Sequence, residues 1–266
     1  MEDRITVDLN DGVADVRLVR ADKMNALDEA MFNALVTTGE RLKSEKGVRA
    51  VVLSGVGRAF CAGLDMGNFG QMASGSRRES GNLETPRTPG GANRAQQAVM
   101  AWREIPVPVI AAVHGVAFGG GFQLALGADM RFVAPDTRMS VMEIKWGLVP
   151  DMAGIVLLRG LLRDDVAREL TFSGRIFSGE EALGLGLATR VCADPRAEAL
   201  AFAAEVAAKN PDAIRAGKRL LDLAAEADQR AILLAETTEQ IKLIGSPNQV
   251  EAVKANLEKR APNFVD

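Results

Sequence analysis

Two glycine-containing segments carry the residue types that could stabilise a developing negative charge. Arg58–Asp65 (RAFCAGLD) follows the apolar run Arg49–Leu53, and Val113–Ala125 (VHGVAFGGGFQLA) follows the apolar run Val107–Val113. In the second segment three glycines open an apolar helical stretch, Phe122–Leu126. N–H groups at the start of a helix carry partial positive charge. Two such N–H groups, one from each segment, would form an oxyanion hole.

The glycine run by itself also fits a tight turn or a close contact between a helix and a sheet. It lacks the G-x-G-x-x-G spacing of a dinucleotide site, and no Gly-Lys-Ser/Thr follows it as in a P-loop. The residues alone therefore leave two alternatives open, an oxyanion loop and a purely structural turn.

The elements that must position these loops alternate between strands and helices in the first half of the chain. Strands are predicted at Ile5–Leu9 and Val13–Val19, joined by a turn at Asn10-Asp11-Gly12. Leu27–Lys43 has the apolar spacing of a helix. The run Arg49–Leu53 predicts a buried strand, so the first loop lies at a carboxyl end, where ligands bind in open α/β sheets.

The second half of the chain is predicted to be mostly helical. The predicted helices are Ile155–Leu162, Asp164–Phe172, Gly179–Leu185, Pro195–Lys209, Pro211–Ala227, Gln229–Ile244 and Pro247–Glu258. Pro211 and Pro247 suit first helical turns, where a missing N–H costs little. Strands followed by a helical tail predict an α/β core with a C-terminal helical subdomain.

Residues Gly67–Gly91 are rich in Gly, Ser, Arg and Pro and show no apolar periodicity. They are predicted to form a mobile surface loop. A loop of this length in a compact domain is either a tolerated insertion or part of a site, such as a lid or pocket wall. The sequence leaves both interpretations open.

The composition of the chain argues against several classes of function. The 32 basic and 35 acidic residues give a net charge of −3, so nothing global attracts the chain to nucleic acid or to a membrane. One histidine and two cysteines without ligand spacing argue against a metal site, and so few cysteines suit a reducing compartment. The N-terminal segment is acidic and lacks an apolar signal core, so we expect a cytoplasmic protein.

Several motifs, in order along most of the chain, resemble those of the crotonase (enoyl-CoA hydratase/isomerase) superfamily. Besides the two loops, they are RADKMNAL at Arg20–Leu27, the stretch Pro106–Asp129, VMEIKWGLVP at Val141–Pro150 and SGEEALGLGL at Ser178–Leu187. The resemblance implies an α/β fold with a crotonase-like ββα spiral core over residues 1–195. It also implies a C-terminal helical trimerisation region over residues 196–266, and self-association as a trimer or hexamer.

The resemblance also implies an acyl-CoA thioester as substrate and no separate cofactor, because CoA is part of the substrate. The backbone N–H groups of Leu64 and Gly120 would form the oxyanion hole. The residues implied in CoA binding are Lys23, Ala26, Ala62, Leu64 and Phe264. Lys23 would be the cation nearest a CoA phosphate, and Phe264 would reach the CoA of a neighbouring subunit.

Hydratases of this family use two glutamates, and the resemblance places only one of them here, Glu143. The other position holds Gln123. A carboxylate takes up a proton and returns it, whereas an amide only positions water or a carbonyl through its hydrogen bonds. Moving a double bond needs one base and an oxyanion hole for the enolate. Glu143 as the single proton carrier therefore favours isomerisation of an enoyl-CoA.

Asp151 stands eight residues after Glu143, a spacing that the family's dienoyl-CoA isomerases share. Those enzymes also carry an aspartate at the position of Gln123, so the match is partial. Two interpretations of Asp151 stay open, a partner of Glu143 and an N-cap of a helix that starts at Met152. The alternatives for the function are a hydratase that adds water to a 2-enoyl-CoA and a catalytically weak member that binds acyl-CoA or RNA.

Overall fold

A six-stranded sheet lies at the centre of the molecule in the computed structural model, which describes residues 4–73 and 86–266. The strands along the chain are β1 Ile5–Asn10, β2 Val13–Leu18, β3 Ala50–Gly55, β4 Val109–Val113, β5 Val116–Phe118, β6 Met130–Val133, β7 Arg138–Ser140 and β8 Arg190–Val191. The order in the large sheet is β1-β2-β3-β4-β6-β8, and β5 pairs with β7 in a second, two-stranded sheet.

Only the first pairing of the large sheet is antiparallel, among the strands described. Asn10 lies opposite Val13, which leaves Asp11 and Gly12 as a two-residue hairpin loop with φ values of 48° and 80°. Positive φ at both positions is the requirement of the tight hairpin turn whose twist matches the strands. The predicted turn is confirmed. The remaining strands are parallel, so the loops after β3 and β4 leave the same edge of the sheet.

The described helices alternate with these strands and then follow them. They are α1 Glu29–Ser44, α2 Met66–Ala73, α3 Arg94–Arg103, α4 Gly120–Leu126, α5 Gly154–Leu158, α6 Asp164–Ser173, α7 Gly179–Leu185, α8 Pro195–Ala207, α9 Pro211–Ala224, α10 Gln229–Leu243 and α11 Pro247–Glu258. Two short 3₁₀ turns, Ala21–Lys23 and Glu143–Trp146, also carry residues of the site. Prolines open α9 and α11, as predicted from Pro211 and Pro247.

Both faces of the sheet are covered, which explains why every residue of β3 is buried. One face packs against α1, α3 and α4 in a large core that includes Leu35, Trp102 and Phe122. The other face packs against α8, whose buried alanines lie four residues apart at Ala199, Ala203 and Ala207. Small side chains at this spacing let the helix approach the sheet closely. The rigid two-sided core holds the loops at the carboxyl edge.

The predicted helix Ile155–Leu162 is shorter in the structure, where it ends at Leu158, and two observed helices were not predicted. Met66–Ala73 is helical, so the predicted loop at Gly67–Gly91 is wrong for its first residues; residues 74–85 lie outside the described part of the chain. Arg94–Arg103 was not predicted as a helix. Its start is stabilised by a capping box, in which Asn93 accepts from the Gln96 N–H and Gln96 accepts from the Asn93 N–H.

The C-terminal helices expose large apolar side chains. The exposed residues of α9, α10 and α11 include Leu221, Leu234, Ile241 and Leu257. Such surfaces often mark protein contacts, so self-association stays a prediction, as does the domain boundary between residues 195 and 196. In residues 4–73 and 86–266, no helix has both the length and the apolar character needed to cross a membrane.

Candidate active site

The loops after β3 and β4 run side by side at the carboxyl edge of the sheet. The Cys61 N–H donates to Val116 O (3.1 Å), and the Phe118 N–H donates to Cys61 O (3.2 Å). A Cβ added at Gly63 would lie 2.5 Å from Phe118 O, and the φ of Gly63 is +86°. Glycine is therefore required at this position by both space and backbone conformation.

The two N–H groups predicted to form the oxyanion hole meet where these loops touch. A Cβ on Gly63 would be 3.6 Å from Gly120 N, and the next residue is Leu64. Within the described ranges, the N–H groups of Leu64 and Gly120 have no acceptor, whereas the Gly119 N–H donates to Ser140 O. Both residues line a cavity of about 1140 Å³. Two unpaired donors at a cavity wall, one at the start of α4, suit an anionic oxygen.

Glu143 carries its carboxylate into the same cavity from the start of the second 3₁₀ turn. Its Oε1 lies 3.1 Å from the position of a Cβ on Gly119, next to the Gly120 N–H. The Gln123 Nε2 donates to this Oε1 at 2.6 Å. Oε2 is buried and has no hydrogen-bond partner among the described residues. One oxygen is therefore held and the other is free to take up a proton.

The surroundings of Glu143 favour its neutral form. Burial raises the pKa of the Glu143 carboxyl, hydrogen bonds from its own backbone N–H and from Gln123 lower it, and the negative charge of Asp151 raises it. The net direction is upward, because a carboxylate loses solvation in a buried site. A raised pKa brings the carboxylate closer to the strength needed for proton abstraction and return.

Gln123 lies behind Glu143, fully buried and not on the cavity wall. Its Oε1 accepts from the N–H groups of Met152 and Gly154, both at 2.9 Å. Between them Ala153 has a φ of 66°, a conformation that costs energy for a non-glycine residue. Gln123 therefore fixes both the carboxylate of Glu143 and the turn that follows Asp151. Its position makes it a positioning residue.

Asp151 lines the cavity and is exposed. The interpretation of Asp151 as an N-cap is wrong, because α5 begins at Gly154 and its N-cap is Ala153, which makes no side-chain hydrogen bond. The strained turn at Ala153 delays the start of the helix. Asp151 is instead placed close enough for its charge to raise the pKa of Glu143.

Four of the residues predicted to bind CoA line the cavity, and one does not. Lys23, Ala26, Ala62 and Leu64 contribute to its wall. Phe264 lies near the amino end of β3, where its carbonyl accepts from Arg49 Nη2 at 3.0 Å. This edge is opposite the cavity, so Phe264 is outside the cavity of its own chain. Contact with a neighbour's CoA stays a prediction.

Asn25 shapes the segment that carries Lys23 and Ala26, a role that the sequence did not reveal. It is fully buried with a φ of 55°, and its Nδ2 donates to Val56 O (3.0 Å) and Ala59 O (2.8 Å). Asparagine tolerates this left-handed conformation better than most residues. The sequence signal that pointed to Asn25 is its presence in the RADKMNAL motif.

Arg20 ties the same segment to the first loop. Its Nη1 donates to Asp65 Oδ2 at 2.6 Å and to Ala26 O at 3.0 Å. The Leu27 N–H donates to Gly63 O at 2.8 Å, directly beside Leu64. The oxyanion loop and the predicted CoA segment therefore form one connected unit.

The remaining candidate residues, His114 and Cys61, have no part in the proton transfer or oxyanion binding described above. The sole histidine, His114, places Nε2 2.9 Å from Gly57 O and is not on the cavity wall. Burial raises the pKa of the Cys61 thiol to about 12, so it stays protonated. In the loop predicted at Gly67–Gly91, Gly67 and Met72 line the cavity, which supports the interpretation of its described part as a pocket wall.

Comparisons with known proteins identify the family of the chain. The pattern of the enoyl-CoA hydratase/isomerase family matches residues 8–266. The chain is 32% identical over 263 residues to the mitochondrial enoyl-CoA hydratase domain-containing protein 2 of Mus musculus, covering 96% of this chain and 85% of that one. It is 30% identical over 256 residues to the mitochondrial Delta(3,5)-Delta(2,4)-dienoyl-CoA isomerase of Mus musculus, covering 93% and 77%.

Solved structures show the same fold. An enoyl-CoA hydratase of Mycobacterium smegmatis superimposes with a TM-score of 0.83 at 32% identity, covering 98% of this chain and 99% of that one. The predicted crotonase-type α/β fold is confirmed. Since the family pattern and the relatives span nearly the whole chain, the protein belongs to the enoyl-CoA hydratase/isomerase family.

Proposed function

We propose that the protein moves the double bond of an enoyl-CoA thioester. Glu143 Oε2 removes a proton from the carbon next to the thioester carbonyl, and the electrons of the C–H bond pass to the carbonyl oxygen. The N–H groups of Leu64 and Gly120 stabilise this oxygen as an enolate. Glu143 then returns the proton further along the acyl chain, which completes the shift without any other reactant.

The Oε2 atom of Glu143, which has no hydrogen-bond partner among the described residues, carries this proposal. It is the buried, free oxygen of a carboxylate whose other oxygen is held by Gln123. Gln123 occupies the position of the second hydratase glutamate, but its amide exchanges no proton and already uses its oxygen for two backbone N–H groups. A single carboxylate that removes a proton and returns it elsewhere is enough for isomerisation.

Hydration of a 2-enoyl-CoA is the second candidate, and the position of Asp151 favours it. Asp151 lines the same cavity as Glu143 and would supply a second carboxylate for water. The two candidates differ in substrate, so purified protein should be offered a 3-enoyl-CoA and, separately, crotonyl-CoA. We expect conversion of the 3-enoyl-CoA to be faster. Faster hydration of crotonyl-CoA would replace the first candidate by the second.

The pH dependence of activity provides a separate prediction. Glu143 acts as a base only when ionised, so kcat/KM should fall as the pH drops through its raised pKa. Asp151→Asn removes a like charge and should move this acidic limb to lower pH. Gln123→Met removes a hydrogen bond to the carboxylate and should move it to higher pH.

The measurement is the pH profile of kcat/KM for the three proteins, with Glu180→Gln as control. Glu180 is exposed on α7, away from the cavity wall, and its replacement should leave the limb in place. If the acidic limbs of the kcat/KM profiles of Asp151→Asn and Gln123→Met shift in the same direction, the proposed effects of Asp151 and Gln123 on the pKa of Glu143 are wrong.

The binding of CoA is proposed to use the wall formed by Lys23, Ala26, Ala62 and Leu64. Lys23 forms no salt bridge or side-chain hydrogen bond within residues 4–73 and 86–266, although its positive charge is close enough to lower the pKa of Asp65. Its ammonium group therefore remains available for a phosphate.

We also propose that the protein assembles as a trimer or hexamer, which the exposed apolar side chains of α9, α10 and α11 support. A cytoplasmic location is proposed as well.

A further inference from the structure

The wall of the cavity is rich in methionine. Five of the methionines in the described part of the chain line it. They are Met24, Met66, Met72, Met142 and Met152. They come from different segments, so no single helix accounts for the cluster. Among the described lining residues, Val149 is the only one branched at Cβ.

Met24 belongs to the segment proposed to bind CoA, whereas the other four methionines lie on segments next to the groups assigned to the thioester. The Met152 sulfur lies 2.7 Å from the position of a Cβ on Gly120, beside the oxyanion N–H. Met142 directly precedes Glu143. Met66 and Met72 belong to α2, which follows the first oxyanion loop.

Methionine side chains form a wall of variable shape. They have three rotatable bonds and a polarisable sulfur, and they fill irregular gaps and contact aromatic rings favourably. Residues branched at Cβ have one strongly preferred rotamer and form a stiff wall. Three aromatic residues, Phe32, Phe118 and Trp146, also line the cavity. Its apolar surface can therefore rearrange around groups of different outline.

We propose that this cavity accepts apolar acyl groups of different shape, linear and aromatic alike, because its methionines re-form the wall around each of them. This inference rests on the proposed binding of CoA thioesters. It adds the substrate class, which the oxyanion hole and Glu143 do not determine.

Binding of octanoyl-CoA and phenylacetyl-CoA tests the inference. Their acyl groups have the same number of carbon atoms but different outlines, and neither carries the isolated double bond that the proposed reaction needs. Measured by isothermal titration calorimetry, the two Kd values should agree within about threefold. Both should be at least about tenfold lower than the Kd of free CoA, because burial of several carbon atoms adds affinity.

Variants with stiffer walls should lose this tolerance. Met72→Ile and Met142→Ile, made separately, should each weaken phenylacetyl-CoA relative to octanoyl-CoA by about tenfold, since a stiff side chain resists the wider ring. Met100→Ile is the matched control, because Met100 lies on α3 outside the cavity wall. Thermal melting followed by circular dichroism verifies that each variant is folded.

The outcomes separate the inference from the proposed function. Kd values that differ more than about threefold in the wild type, or a ratio that neither isoleucine variant changes, would overturn the inference. Thioesters that bind no more tightly than free CoA would overturn it as well. Absence of binding by every CoA compound would instead overturn the proposed function.

Discussion

Replacement of Glu143 by glutamine should lower kcat for the 3-enoyl-CoA by about 10²–10⁴-fold, the contribution typical of a positioned general base. Glutamine has nearly the same shape but cannot take up the proton. Because Oε2 has no hydrogen-bond partner in the described part of the chain, no neighbour loses a bond there. Steady-state kinetics with the wild type and Glu143→Gln provide the measurement.

Two controls separate chemistry from binding in this experiment. Octanoyl-CoA should bind to Glu143→Gln within about threefold of the wild type, since the carboxylate is not assigned to CoA recognition. The wild type should exchange the proton next to the thioester carbonyl of the 3-enoyl-CoA for deuterium in deuterated water. Glu143→Gln should lose this exchange together with turnover. A variant that retains most of the wild-type rate would show that another group carries the proton.

Replacement of Gly120 by proline should lower kcat/KM by about 10²–10³-fold relative to Gly120→Ala, the usual effect of losing one oxyanion donor. Gly120 is the first residue of α4, where proline is best tolerated in a helix. Proline removes the N–H and places its ring carbon where the thioester oxygen is expected. The measurement is kcat/KM for both variants with the same 3-enoyl-CoA.

Gly120→Ala is a close control because both variants add a Cβ. That atom would lie 2.7 Å from the Met152 sulfur and 2.8 Å from Leu27 Cδ1, both of them at the far ends of flexible side chains. Only proline removes the donor. Equal activity of the two variants, with similar melting temperatures, would mean that the Gly120 N–H does not bind the oxyanion.

Much of the site was predictable because its signals are local. Gly63 and Gly120 follow apolar strands, and the carboxyl ends of parallel strands meet at one edge of a sheet. The positions of both loops after strands, together with the family resemblance, therefore predicted an oxyanion hole built from the two of them. By contrast, Gly67 and Gly70 weaken the helical pattern of α2, since glycine disfavours helices, and this helix was missed.

Contacts between distant residues were not predictable. The hydrogen bonds of Asn25 to Val56 and Ala59 join positions more than thirty apart in the chain. Phe264 lies at the opposite edge of its own sheet because Arg49 holds its carbonyl. The RADKMNAL motif marks Asn25 but not its partners, and nothing in the sequence marks the contact of Phe264, since both depend on how distant parts of the chain pack together.

The amino-acid sequence, through its resemblance to the crotonase family, predicted which groups the candidate site contains: two backbone donors on loops at strand ends, one glutamate at 143, and an amide at 123. Their arrangement depended on packing. Packing places Gln123 behind Glu143 and outside the cavity, and it leaves one oxygen of Glu143 without a partner in the described part of the chain. It also places Asp151 on the cavity wall instead of at a helix start. Desolvation, which raises the pKa of Glu143, arises only when the surrounding side chains exclude water from the carboxylate.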